Sequence, residues 1–100
     1  MKKEDLNTIE ITLEDIGLIM GDRFSFFPEI LDSCFCANCE KHQTSITNYK
    51  AYLNNLQDIT LEGHCVKCGH PVGRNIETGE NKESVETAKH IRHIKKSKFR

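Results

Sequence analysis

Two short cysteine hooks constrain this chain more than any other feature: Cys36-Ala37-Asn38-Cys39 and Cys65-Val66-Lys67-Cys68, separated by 25 residues. Two residues between sulfurs let a tight turn aim both thiolates of one hook at a single point. Two such hooks meet the ligand count of a closed tetrahedral zinc site. Gly69 follows the second hook, where the chain must fold back and let backbone N–H groups approach the sulfurs. The favoured reading is Zn2+ held by Cys36, Cys39, Cys65 and Cys68 in a structural role. A redox dithiol would need only one hook, and no repeating βαβ pattern surrounds either. Disulfide pairing calls for an oxidising compartment, and the opening residues Met1 to Asn7 lack the apolar stretch of a secretory signal. Another metal, such as iron, would accept the same donors.

Cys34 lies two residues before Cys36. Its alternation suits extended backbone, which would turn its side chain away from the metal and leave a buried or free thiol. His42, His64 and His70 flank the hooks. Four sulfurs already fill a tetrahedral shell, so the histidines are expected to act as hydrogen-bond donors near it or to be exposed.

One hundred residues fit a single small domain. A chain this short buries less of its surface than a long one and gains from a staple. Structural zinc contributes roughly 10–16 kcal/mol in small zinc peptides, so metal and fold should be coupled. No apolar run approaches the ~20 residues that span a bilayer. A soluble protein of the reducing cytoplasm, with no membrane partner, is expected.

The net charge of −1 conceals a polarity. Residues 1–33 carry eight acids against Lys2, Lys3 and Arg23, a net of −5. Residues 34–80 carry five acids and four bases, a net of −1. Residues 81–100 carry Glu83 and Glu86 against seven lysines and arginines, a net of +5. An acidic head and a basic tail flank a nearly neutral metal segment.

Local patterns place the elements. Thr12 can cap a helix whose third position is Asp15, and Ile11 with Ile16 have hydrophobic-staple spacing. Leu13, Ile16 and Met20 share one face of that helix, and Gly21 stops it. Pro28 suits the first position of a short helix through Glu29, Ile30 and Leu31. Phe24, Phe26, Phe27 and Phe35 are expected to pack helix against metal segment, the alternative being an aromatic binding surface. Ile59, Leu61, Gly63 and Cys65 alternate with polar residues, as do Val72, Arg74 and Ile76, so two strands should flank the second hook as a hairpin. Between Ile46 and Leu53 the pattern admits a helix through Tyr49, Tyr52, Leu53 and Leu56. The β-branched run from Thr44 to Thr47 and the Asn54-Asn55 turn favour a strand. It would complete a three-stranded antiparallel sheet.

Hook, spacer, hook with glycine, then antiparallel strands: over residues 34–80 this order resembles the zinc-ribbon superfamily. The stretch from Leu61 to Val72 is also similar to that of small uncharacterised prokaryotic zinc-ribbon proteins. The resemblance implies Cys36, Cys39, Cys65 and Cys68 as ligands and offers no activity to transfer. Zinc ribbons serve transcription factors, ribosomal proteins and larger machines, so nucleic-acid and protein binding both follow from it.

The tail from Asn81 to Arg100 reads as a helix capped by Asn81, with acids near its start and bases towards its end. Lys89, Arg92 and Lys96 form a basic stripe at helical spacing, with Ile91, Ile94 and Thr87 on the opposite side. Such a stripe suits phosphate contacts, with the isoleucines docking the helix; it equally suits a solvated helix whose charges complement its dipole and keep the protein soluble. The same polarity would also serve head-to-tail self-association, or docking of the basic helix on the chain's own acidic head. Lys41, Lys50, Lys67 and Arg74 would extend a basic surface if they faced the same way. No glycine-rich phosphate loop or nucleophile elbow is present, and a four-cysteine shell leaves zinc no open position.

The expectation is therefore an α+β single domain. It has an acidic helical lead (1–33), a zinc ribbon with a three-stranded sheet (34–80) and a basic C-terminal helix (81–100). It is a non-catalytic zinc module without a small-molecule substrate, binding nucleic acid through Lys89, Arg92 and Lys96. The alternative is a protein–protein docking module with no nucleic-acid binding.

Overall fold

The computed structural model describes residues 8–98, with side chains described as far as Lys95. Its first helix, α1 (Leu13–Met20), starts at a complete capping box. The Asp15 N–H donates to Thr12 Oγ1 at 3.1 Å, and the Thr12 N–H donates to Asp15 Oδ2 at 3.0 Å. Two otherwise unpaired donors of the first turn are satisfied reciprocally. Gly21, at φ 60°, closes the helix where a side chain would be strained. A 3-10 segment (Gly21–Phe26) leads into the short helix α2 (Phe27–Leu31), which has Pro28 in its first turn.

The buried face of α1 is Ile16, Ile19 and Met20, rather than one running through Leu13, which is 54% exposed. Leu13 sits in the first turn, at the open end of the helix, whereas Ile19 points at the packed middle.

The sheet has four strands where three were expected. β1 (Ile9–Ile11) is the addition, and it pairs antiparallel with β4 (Ile46–Leu53), Ile9 opposite Leu53 and Ile11 opposite Ala51. β5 (Ile59–Cys65) and β6 (Pro71–Ile76) complete the order β1-β4-β5-β6, antiparallel throughout. A separate two-stranded ribbon joins β2 (Cys34–Phe35) to β3 (Gln43–Thr44).

β4 carries a bulge. Ile46 opposes Cys65 and Ala51 opposes Leu61, so five steps on β4 span four on β5. Asn48 supplies the irregular residue at φ 51°. Without it, Ile46 and Ala51 would lie on opposite faces; with it, both are buried. Gly63 faces this bulge. A Cβ there would stand 2.7 Å from the Thr47 carbonyl oxygen and 2.8 Å from Tyr49 Cβ.

The C-terminal helix, α3 (Lys82–Lys98), is capped by Asn81, whose Oδ1 accepts from the Ser84 N–H at 2.9 Å. It packs on α1 through Ser84, Ala88 and Ile91, all buried, at i, i+4 and i+7. The Ser84 hydroxyl donates to the Ile19 carbonyl at 2.6 Å, and Lys95 pairs with Asp15 at 3.1 Å. The basic helix thus docks on the chain's own acidic head. Ile91 takes part as expected; Ile94 does not, and remains 43% exposed. The sheet residues Leu53, Ile59, Leu61 and Ile76 share one buried cluster with Ile16, Ile19, Ala88 and Ile91. The aromatic group divides likewise. Phe24 stacks on the buried Phe27 at 5.4 Å, while Phe26 and Phe35 are exposed.

Candidate metal centre and basic helix

Each cysteine hook occupies the tip of a hairpin. The first joins β2 to β3, and the Cys36 N–H donates to the His42 carbonyl at 3.0 Å to close it. The second joins β5 to β6, closed by the Cys65 N–H on the His70 carbonyl at 2.8 Å. Each tip turns back through a residue at positive φ, His42 at 59° and Gly69 at 79°. At Gly69, the N–H reaches the Cys65 carbonyl at 2.9 Å.

The two tips meet because β3 runs almost directly into β4, which lies beside β5. Ser45, at the junction, accepts the Val66 N–H on its carbonyl at 3.0 Å and donates its hydroxyl to Asp32 at 2.8 Å. Arg74 Nη1 donates to the Ser33 carbonyl at 3.0 Å and fastens β6 to the approach of the first hook.

The result is a quartet. The sulfurs of Cys36, Cys39, Cys65 and Cys68 all lie within 4.8 Å of one another. Cys36 and Cys68 are 3.6 Å apart, Cys39 and Cys65 3.6 Å, and Cys39 and Cys68 3.7 Å. These three spacings are close to those of ligands around one ion: tetrahedral Zn–S bonds of about 2.3 Å place sulfurs roughly 3.8 Å apart. Cys36 and Cys65 are buried, Cys39 is half-buried and Cys68 is exposed. Among the described residues, no histidine or carboxylate joins the cluster. His42 instead lies with Nδ1 3.1 Å from the Cys36 carbonyl and its ring stacked on Phe35 at 5.3 Å. His64 and His70 are exposed.

Donors converge on the sulfurs. Thr44 Oγ1 lies 3.0 Å from Cys65 Sγ, and the Lys67 N–H donates to the same sulfur at 3.3 Å. Burial opposes charge on Cys65, but the Thr44 hydroxyl and the backbone N–H groups of Cys68 and Lys67 outweigh it and bring the thiol down to about 5. The Asn38 side chain and the His70 N–H hold Cys68 below the usual thiol range. Cys39 is pushed up to about 12 by its hydrogen bond with Cys65, by burial and by the neighbouring sulfurs. Four adjacent thiolates repel one another without a cation; a bound cation reverses that balance. Thr44 and Asn38 escaped the sequence reading. Asn38 lies inside the first hook, where a polar side chain is a usable signal, but nothing local marks Thr44.

Cys34 stays outside the quartet. It is buried, with Sγ 3.5 Å from the Ile30 carbonyl and 3.6 Å from that of Leu31, and burial pushes its thiol up.

The basic stripe is not uniform. Lys89 is exposed. Arg92 is half-buried, donating through Nη2 to the Asn54 carbonyl at 2.7 Å and to Gln57 Oε1 at 3.2 Å. The Lys96 side chain lies outside the described residues. Of the wider basic set, Lys67 Nζ donates to the Gln43 carbonyl at 3.2 Å, and Lys50 stands opposite Glu62 across the sheet. Among the described residues, no helix is long and apolar enough to cross a membrane.

No known family, curated protein or solved structure matches the chain. The cysteine quartet is a candidate metal-binding site in an α+β fold, and its functional meaning rests on its own chemistry.

Proposed function

We propose that the chain is a non-catalytic binding module in which the cysteine quartet holds structural zinc in a zinc-ribbon-like arrangement. The observation that carries this is the meeting of two hairpin tips with four sulfurs within 4.8 Å. An all-thiolate tetrahedral set selects zinc or iron among common metals. Zinc bound by all four keeps no open position for water or substrate, which suits scaffolding rather than catalysis. By cross-linking residues near the middle of the chain, the ion would add to the stability that the small core supplies.

Two partner classes remain in play. Nucleic acid is supported by the net +5 of residues 81–100 and by the exposed Lys89. A protein partner is supported by the internal engagement of Arg92 and Lys95, which removes two cations from a phosphate-contacting face. Salt separates the two. If Lys89, Arg92 and Lys96 contact phosphates, oligonucleotide binding followed by fluorescence anisotropy weakens with salt. Each Gln substitution then flattens the log–log slope by roughly 0.7–0.9. Absence of binding at low salt, or binding unchanged in the triple Gln variant, removes the basic helix as a nucleic-acid site and leaves protein docking.

A further inference from the structure

A groove of about 470 Å3 opens between the 3-10 segment after α1 and the 3-10 turn Thr78–Glu80. Its apolar lining is Met20, Phe26, Ile30 and Ile76, and Phe26 stands 55% exposed on it. Glu77 and Glu80 line the same groove and are exposed. Past Met20, Arg23 and Asn81 it continues into a second recess of about 280 Å3, where Asp22 and Glu83 lie. Two cations are close by. Arg23 is held by donation to the Ser84 hydroxyl at 3.0 Å, and Lys82 is exposed. Four acids against two bases leave an apolar slot with an acidic margin.

We propose that this groove receives the basic tail of a second copy of the chain, residues 96–100, by head-to-tail association. Charge complementarity argues for it. Lys96, Lys98 and Arg100 supply three cations, and Phe99 among them supplies an apolar anchor for Met20, Phe26 and Ile76. Length excludes the same chain as donor. The groove adjoins Asn81 at the start of α3, and the tail leaves its far end after 17 residues. That helix is about 25 Å long, and any two further residues, even fully extended, span no more than about 7 Å. The groove therefore lies beyond the reach of the same molecule's last residues and can receive them only from a second molecule. A heterologous contact of this kind need not close on itself, so mass should rise with concentration rather than stop at a dimer. No cysteine lines the groove, so failure of this proposal leaves the zinc reading untouched.

Sedimentation velocity on nuclease-treated, metal-loaded protein tests it. At about 0.01 M salt, where screening extends over about 30 Å, the average mass should increase with protein concentration. At about 1 M salt it should return to that of one chain. Glu77→Lys/Glu80→Lys and Lys98→Glu/Arg100→Glu should each be monomeric alone, and an equimolar mixture should associate, because each variant then offers the charge the other lacks. Circular dichroism and metal content establish that both variants fold. A wild-type chain that stays monomeric at low salt would overturn the proposal. So would association that ignores the charge swaps, or folded variants that fail to associate when mixed.

Discussion

The hydroxyl of Thr44 lies 3.0 Å from the sulfur of Cys65, with both side chains buried. Thr44 belongs to the hairpin of the first hook and Cys65 to the second, so this contact joins the two halves of the cysteine quartet. Its donor favours the thiolate, the form that binds a cation. Thr44→Val keeps the shape and removes the donor. It should weaken zinc affinity about 10–100-fold, as read by competition with a chromogenic chelator. Unchanged affinity would make the contact incidental.

Gly63 tests the sheet that brings the hooks together. Gly63→Ala would drive a methyl into the Thr47 carbonyl and Tyr49 Cβ, where the β4 bulge comes closest. Overpacking of this kind costs about 1–3 kcal/mol, so the denaturant midpoint should fall clearly. Gly73 makes a control, because a Cβ there would meet only the Leu61 carbonyl oxygen at 3.6 Å. An equal loss at both positions would contradict the bulge assignment.

Asp15 links the head to the tail. Burial raises its pKa, but the Thr12 N–H and the ammonium of Lys95 outweigh that and hold it below the usual carboxylate range. A folded-state pKa lower than the unfolded one means stability that is present above the ordinary carboxylate pKa and lost as pH falls through the folded value. Asp15→Asn should cost about 1 kcal/mol at neutral pH, the scale of a lost helix cap. The gap between wild type and variant should close as pH drops below the carboxylate range. Thermal unfolding of both proteins across that window checks the sign. A gap that widens in acid would contradict it.

What could be read in the sequence was local. The Thr12–Asp15 box spans four residues, and the alternation from Ile59 to Cys65 lies within one strand. Each hook is a four-residue unit, so the four cysteines that the fold gathers could be named from the sequence. The remainder depended on distant partners. β1 is only three residues long and acquires its identity from β4, some forty positions away. The stripe through Lys89 and Arg92 looked uniform because helical spacing does not reveal that Asn54 and Gln57 lie within reach of Arg92. Ile94 had the composition of a docking residue, yet the contact with α1 runs through Ser84, Ala88 and Ile91. Small side chains let the two helices approach closely, and hydrophobicity alone does not signal that.

X-ray absorption at the zinc edge tests the central claim most directly. On protein carrying one zinc per chain, the ion should show four sulfur neighbours at about 2.3 Å and no nitrogen or oxygen neighbour. Cys34→Ser should leave that spectrum unchanged, because Cys34 lies outside the quartet. Cys68→Ser should reduce the sulfur count or empty the site. A nitrogen or oxygen neighbour near 2.0 Å in the wild-type spectrum, or four sulfurs retained in Cys68→Ser, would contradict the assignment of Cys36, Cys39, Cys65 and Cys68 as a closed zinc shell.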